Sequence, residues 1–247
     1  MAKGGTFNFH PEYYTKKLAI IVPYRDRLDH LKRFMPHISA YFERDKLDRY
    51  ISVSFNVIEQ FGDKPFNRGK IKNCGFALVK DVSDYVCFHD VDYLPVWADY
   101  SWSRVPARLI WFGLTLREDW NNFFGGVTLF DNSAFLAVNG YPNCYWGWGR
   151  EDFELGRRCH IKGFGFEKRD GTYSALPHKH AGFQAPGVRT KEARRSRDMF
   201  GQRESRLEQL IDEDGLTNLQ YKLIEKREVR VEGNVTPNAW HFLVDIG

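Results

Sequence analysis

Between residues 18 and 92 the sequence switches back and forth between two hydrophobic periods, and few architectures tolerate that alternation. "LAIIVPY" (18–24) is a short apolar run and reads as a buried strand, which Pro23 should stop. "RDRLDHLKRFMPHISAYFER" places apolar residues at 28, 31, 34, 35, 38, 41 and 42, the spacing of an amphipathic helix. Pro36 is expected to kink or split it, because it lacks the N–H and clashes with the preceding turn. "ISVSFNVIEQ" alternates Ile51, Val53, Phe55 and Val57, the period of a strand. "FNRGKIKNCGFALVK" reads as a second helix despite two glycines, and "DYVCFHDVD" as a third strand that runs into Asp90 and Asp92. Strand, helix, strand, helix, strand is the pattern of a parallel α/β sheet. Such sheets bind ligands beyond the carboxyl ends of their strands, so Pro23–Arg27 and Asp90–Asp92 are predicted to converge.

Beyond residue 95 the signals are mixed. "FFGGVTLF" reads as a strand and "EDFELGRRCHIKG" as a helix ending near Gly163, followed by loops. A basic run at 189–206 precedes two strands, "VRVEG" and "HFLVDIG". No repeat, low-complexity tract or linker interrupts the chain, so residues 1–247 are read as one α/β domain. With 43% hydrophobic and 16% aromatic residues, it can bury a sizeable core. A net charge of +4 suits an anionic ligand and does not require nucleic acid. Cys74, Cys87, Cys144 and Cys159 form no CxxC pair and no zinc spacing, and are expected to be reduced thiols. No stretch approaches the ~20 apolar residues of a membrane span, and "MAKGGTFNFHPEYYTKK" has no apolar signal core. The expected location is cytoplasmic or peripheral to the inner membrane, and "NVT" at Asn234 is then a chance sequon.

The chemistry concentrates in a few stretches. "FHDVDYLP" (88–95) sets two carboxylates into an apolar run, where they need a neutralising partner. In a strand, Asp90 and Asp92 would share a face and Val91 would point back to the core. Carboxylate oxygens are hard ligands suited to Mg²⁺ or Mn²⁺, and such an ion can bridge a nucleotide diphosphate. For the bare tripeptide, two solvated turn carboxylates are the commoner outcome. "VPYRDR" (22–27) puts two arginines after a strand end, where they can meet phosphate or merely begin a helix. "FNRGKIKNCGF" (66–76) joins Phe66 to Arg68 and Lys70, either a stacking surface beside cations or a solvated basic face. "YWGWGREDFELGRR" (145–158) sets indoles beside Glu151 and Asp152. Indole rings stack on sugars and an adjacent carboxylate can take a hydroxyl proton, although two acids also suit a helix N-terminus. "PHKH" (177–180) offers two imidazoles at i and i+2, an arrangement that can hold a transition metal and is more often a surface accident.

Taken in order, "VPYRDR", "FNRGKIKNCGF", "HDVD", "FFGGV", "WGWGRED", "DGLTNLQYKLIEKREV" and "FLVDIG" resemble the signature of the β1,4-galactosyltransferase family, glycosyltransferase family 7. The resemblance covers nearly the whole chain from about residue 18, with "WGWGxED" its most specific part. The HxH is more similar to the xylose-acting, proteoglycan-linker branch than to the lactose-synthesising one. The resemblance implies a GT-A fold, a Rossmann-like mixed sheet flanked by helices. It also implies Mn²⁺, a UDP-sugar donor, a carbohydrate acceptor (an oligosaccharide or glycolipid) and single-step inversion that forms a β1,4 linkage. Carried over residue by residue, Pro23, Tyr24, Arg25, Arg27, Phe66, Arg68 and Val91 would hold uridine and diphosphate. Asp90 would contact the donor's ribose or sugar, and Asp92, His178 and His180 would ligate the metal. Trp148 would lie between donor and acceptor, Glu151 would bind the sugars, and Asp152 would be the base. Phe123 in "NNFFGGV" falls where a bulky side chain faces C2 of the donor sugar. This implies UDP-galactose, with UDP-N-acetylgalactosamine as the alternative.

The chain also departs from the pattern. Phe153 replaces the third acid that often follows "WGWGxED", which weakens inference about the acceptor. No stem, membrane anchor or familiar disulfide cysteines are recognisable, and these features fit a bacterial or phage-type enzyme that builds a surface glycan. Segment 181–200 aligns with a loop that orders over bound donor, with Gly182 and Gly187 as hinges. A non-catalytic sugar binder would not need Asp92 together with the histidines. A polysaccharide polymerase would need a second transferase domain, and a nucleic-acid binder would need a module the chain lacks.

Overall fold

The computed structural model describes residues 16–44, 51–110, 124–169, 171–178 and 182–247. In chain order the elements are β1 (Lys17–Tyr24), α1 (Leu28–Arg44), β2 (Ser52–Gln60), α2 (Arg68–Val79), β3 (Tyr85–His89), β4 (Tyr93–Ala98), β5 (Ala107–Arg108), β6 (Val127–Asp131), α3 (Asn132–Ala137) and α4 (Glu151–Ile161). They continue with β7 (Glu167–Lys168), β8 (Gly171–Ala175), β9 (Phe183–Ala185), β10 (Val188–Arg189), α5 (Lys191–Glu204), α6 (Leu207–Glu213), β11 (Lys222–Val231) and β12 (Asn234–Asp245).

Eight strands form one sheet in the order β11-β12-β2-β1-β3-β6-β5-β7. The central strands β12, β2, β1 and β3 run parallel, whereas β6 joins β3 antiparallel and β11 joins β12 antiparallel. The sheet is therefore mixed, as the family resemblance implies, and the purely parallel reading of residues 18–92 holds only for its middle. Alternate residues of β1 feed two cores. Leu18, Ile20 and Val22 pack with Leu31, Phe34, Met35 and Ile38 of α1, while Ala19 and Ile21 pack with Ile71, Cys74 and Phe76 of α2 and Leu155 of α4. Gly75 lets α2 lie close on the sheet, since a Cβ there would meet Ile21 at 2.5 Å and Ile58 at 2.9 Å. The four cysteines are unpaired thiols. No helix among the described residues is long and apolar enough to cross a membrane.

Both prolines behave differently from expectation. β1 passes through Pro23, which pairs with Ile58 of β2. Pairing of β1 with β3 has ended at Ile21, so the missing N–H breaks no ladder there. Helix α1 continues through Pro36 without a split. The predicted stripe at 31, 34, 35, 38, 41 and 42 is buried, and Leu28 stays exposed at the helix start. Most of the basic run at 189–206, which overlaps the segment read as a loop over 181–200, is the helix α5, capped by Thr190, whose side chain accepts from Ala193 N. Gly182 and Gly187 flank and close a small β9–β10 hairpin just before it.

Helix α5 is held to α4 by a buried charge network. Arg203 of α5 donates to both carboxylate oxygens of Glu154 at 2.9 Å and to Asp214 Oδ2 at 2.8 Å. Arg158 donates to Glu154 Oε1 at 2.9 Å, and the Tyr145 hydroxyl to Glu154 Oε2 at 2.7 Å. Burial raises the Glu154 carboxyl, but its bonds to Arg203, Arg158 and Tyr145 outweigh this and hold it below the usual range. Removing one partner of such a network strands the others, so Glu154→Ala should destabilise the fold by about 3–5 kcal/mol in urea unfolding. Because the folded pKa is depressed, Glu154's contribution is present above the ordinary glutamate pKa and is lost as pH falls below it. Wild type should therefore lose its advantage over the variant in acid.

Candidate active site

The carboxyl ends of β1, β2 and β3 open onto one edge of the sheet, and the predicted residues meet there. Pro23 and Tyr24 close β1, both buried, with the Tyr24 ring edge-on to His241 at 6.0 Å. Arg25 lies over the Phe66 ring at 5.5 Å and donates to Lys64 O. Arg27 sits where its charge acts on both Asp90 and Asp92. The loop after β2 is fixed by Gln60, which accepts from Asn67 N at 2.8 Å and donates to Lys64 O and Pro65 O. Asn67 then caps α2 by accepting from Lys70 N at 2.9 Å, so the next side chain, Arg68, projects over the sheet edge. Lys70, read with Arg68 as a possible site cation, instead donates to Ile246 O at 2.6 Å.

Arg68 is the centre of the site. Its Nε donates to Glu151 Oε1 at 2.6 Å, its Nη1 to Asp90 Oδ2 at 2.9 Å and its Nη2 to Asp152 Oδ2 at 3.2 Å. Glycine 69 permits this approach, because a Cβ there would meet Pro142 O at 2.8 Å and Glu151 Cβ at 3.3 Å. The "WGWGR" turn delivers the two acids. Gly147, Gly149 and Arg150 adopt positive φ values of 90°, 96° and 84°, and α4 begins directly after them. A Cβ on Gly147 would strike Glu192 at 2.6 Å, so this turn is also pressed against α5. Trp148 lies under Gly182, whose added Cβ would touch the indole at 2.5 Å, with Phe183 at 6.3 Å from it.

The two aspartates of "HDVD" do not extend the strand. β3 ends at His89, and residues 90–92 form a turn into β4, with Tyr93 N donating to Asp90 O at 3.3 Å. Asp90 therefore bonds to Arg68, while Asp92 meets His178, with Val91 buried between them. Antiparallel pairing of β4 with β8 brings His178 alongside Asp92, and Leu176 N donates to Asp92 O at 2.7 Å. His178 Nδ1 is 3.1 Å from Asp92 Oδ2. The same Nδ1 lies 3.1 Å from Leu176 O; a carboxylate and an imidazole are ligand types that suit a divalent ion such as Mn²⁺, and no cluster of three such groups occurs among the described residues. Thirteen of the fifteen sequence-predicted site residues fall among the described residues; His180 and Phe123 lie outside them.

Electrostatics separate the acids. Burial lifts the Asp152 carboxyl to about 7, with the Glu151 charge adding to the rise and Arg68 and Lys72 pulling it back. Asp90 is also buried, yet Arg68 and Lys72 hold it below the usual range. Asp92 is raised by burial and by Asp90, against the pull of His178. A carboxyl poised near neutrality can accept a proton in reaction and release it afterwards. The sequence reading missed Lys72, a side chain 1% exposed beside Asp90. Its position one helical turn after Arg68 was the available signal. In ¹³C-carboxyl NMR, one aspartate should titrate near pH 7, and that resonance should vanish in Asp152→Asn.

Comparison with known proteins agrees with this geometry. A family model described as the N-terminal region of glycosyl transferase group 7 matches residues 1–102, and one described as the N-terminal domain of galactosyltransferase matches residues 113–181. The chain is 34% identical over 235 residues to β1,4-galactosyltransferase 6 of Homo sapiens, covering 90% of this chain and 57% of that protein. It is 32% identical over 224 residues to β1,4-galactosyltransferase 7 of Drosophila melanogaster, covering 87% and 66%. It therefore spans less than two thirds of the length of these relatives. The crystal structure of the catalytic domain of Drosophila β1,4-galactosyltransferase 7 in complex with xylobiose superposes with a TM-score of 0.74 at 26% identity, covering 94% of this chain and 95% of that one. A mutant of that enzyme in complex with manganese, UDP-Gal and xylobiose gives 0.72 at 25% identity, with the same coverage. These relatives are animal proteins and lend no support to the bacterial or phage-type source expected from the sequence. The mixed sheet flanked by helices is the GT-A fold, and the chain belongs to the group 7 family of glycosyl transferases.

Proposed function

We propose that this chain is an inverting, Mn²⁺-dependent transferase that moves galactose from UDP-galactose to a sugar hydroxyl with a β1,4 linkage. The observation that carries the reading is the Arg68 cluster, which joins a near-neutral Asp152 to Asp90 and Glu151, with the Asp92–His178 pair two residues further along the turn from Asp90. The relatives' names supply the donor and linkage, and the manganese, UDP-Gal and xylobiose of the structural neighbour supply the metal and an acceptor class. The acceptor is read as a carbohydrate, an oligosaccharide or glycolipid, and its product as part of a surface glycan.

In this reading the residues divide the work as follows. Arg25, Phe66 and Arg27 receive the uridine and diphosphate at the strand ends. Asp92, His178 and His180 would hold Mn²⁺, which when bound would supply a Lewis acid to a departing diphosphate. Asp90, fixed by Arg68, is placed to meet the donor sugar or ribose. Trp148 offers an indole face to the sugars, and Glu151 binds their hydroxyls. Asp152 removes the acceptor proton as the new bond forms. One carboxylate base is enough for a single inverting displacement; the paired carboxylates of hydrolases are not needed. Phe123 carries the donor preference by excluding an N-acetyl group at C2, so Phe123→Ile should gain UDP-N-acetylgalactosamine.

The direct test is transfer from UDP-galactose to a panel of sugar acceptors, read by mass spectrometry, with and without EDTA and with Mn²⁺ restored. Loss with EDTA and best recovery with Mn²⁺ are expected, and a chain that binds sugars without transfer would be a lectin instead. Asp152→Asn should lose about 10²–10⁴-fold in turnover with UDP binding near wild type. Because the base must be unprotonated, wild-type kcat/KM should fall as pH drops below about 7. Replacing His178 and His180 together with Ala should raise the Mn²⁺ needed for half-maximal rate; an unchanged requirement would remove the histidines from the metal site.

A further inference from the structure

Lys72 has no part in the chemistry just described, yet its side chain is among the most deeply buried in the molecule. It is 1% exposed, and its Nζ lies 3.9 Å from Asp90 Oδ1 and 3.4 Å from the Tyr141 hydroxyl. The ammonium sits over the Tyr141 ring at 4.9 Å and the Phe88 ring at 5.9 Å. Burying a lysine is unfavourable unless a carboxylate answers it. Asp90 does so with the oxygen that Arg68 leaves alone: Oδ2 takes the Arg68 bond, whereas Oδ1 is buried and has no hydrogen-bond partner among the described residues.

Charge balance gives the arrangement its purpose. Asp90, Glu151 and Asp152 all bond to Arg68, so one guanidinium faces three carboxylates. A second cation on the same helix, one turn further on, reduces that excess. We propose that Lys72 is a positioning residue of the active site, a buried cation that braces Asp90 against Arg68 and sets the charge balance under which Asp152 works as a base. The proposal rests on the reading of Asp152 as the base.

The groups around the pair support it. Asp152 is faced by Arg68 and Lys72 from α2, by Glu151 and Arg150 from the start of its own helix, and by Tyr141 from the segment before it. Lys72 is faced by Cys87 and His89 from β3 and by Asp90 beyond it. Burial lowers the Lys72 ammonium, and Asp90 with Glu151 and Asp152 holds it up against the like charge of Arg68. Arg68 and Lys72 are the cations that most strongly draw the Asp152 carboxyl down, with Arg150 also facing it. Arg68 is already committed to three partners, so Lys72 is the cation whose removal leaves those bonds standing.

The experiment is a pair of titrations on wild type, Lys72→Met and Lys72→Arg. The first follows kcat/KM against pH with UDP-galactose, Mn²⁺ and a sugar acceptor, and the second follows the Asp152 carboxyl by ¹³C NMR without substrate. Losing the cation should move both curves of Lys72→Met upward by on the order of one pH unit, about tenfold in kcat/KM on the acid side. The curves should converge with wild type in alkali, and Lys72→Arg should track wild type. A folded Lys72→Met whose Asp152 titrates as in wild type would overturn the proposal, as would an equal loss of rate at every pH, which marks simple packing. Should Lys72→Met not fold, Lys72→Gln takes its place with the same two outcomes. A wild type that transfers no sugar would sink the functional reading, while the NMR titration would still decide the role of Lys72.

Discussion

Three carboxylates from distant parts of the chain converge on one guanidinium, and the rest of the site is arranged around that meeting. Like charges this close repel strongly in a poorly solvated setting, and Arg68, which bonds to all three, offsets that repulsion with Lys72 beside it. Arg68 in turn has a fixed origin. It is the first residue of a helix whose cap is tied to the end of β2 through Gln60 and to the loop before α4 through the bond from Asn67 Nδ2 to Asn143 O. The guanidinium is rigid and planar, and a lysine in its place could offer neither the fork nor the reach to three acceptors.

The same cluster explains how one short segment serves two purposes. Asp90 and Asp92 are separated by a single residue, but the turn after β3 gives them different partners. One carboxylate is drawn into the Arg68 network and held ionised. The other is placed against His178 through strand β8, which arrives eighty residues later in sequence on the order of one strand width away. Position in the turn, rather than alternation along a strand, gives the two acids different neighbours and opposite shifts.

Much of this was legible in the sequence, for identifiable reasons. The helical stripe of α1 and the alternation in β2 are set by local periodicity, and periodicity is what a single sequence carries most directly. Asp152, Glu151 and Trp148 were singled out because indoles beside adjacent acids suit sugar chemistry, and the fold adds the positive-φ turn at Gly147 and Gly149 that positions them. The mixed character of the sheet came from the family resemblance and not from periodicity, since whether β6 enters parallel or antiparallel depends on the path of a connection, not on its residues. Helix α5 was missed because it is mostly exposed, with only Ala193 and Ser196 buried, and so has no apolar stripe to read. Lys72 was missed because a cation on a helix is ordinarily solvated, and only the fold reveals that this face of α2 points inward.

The way the sheet ends bears on how the molecule behaves in company. One border is β7, only two residues long, too short to serve as a template for another strand. The other is β11, whose residues are nearly all exposed and which carries Lys222, Glu225, Lys226, Arg227, Glu228 and Arg230 along its length. Two of its pairs, Arg227 with Glu225 and Arg230 with Glu228, are already matched along the strand at 3.4 and 3.1 Å. A foreign strand adding to that border would have to desolvate this dense mixture of charges. Among the described residues, both borders of the long sheet thus resist the edge-to-edge pairing by which open sheets grow into fibres.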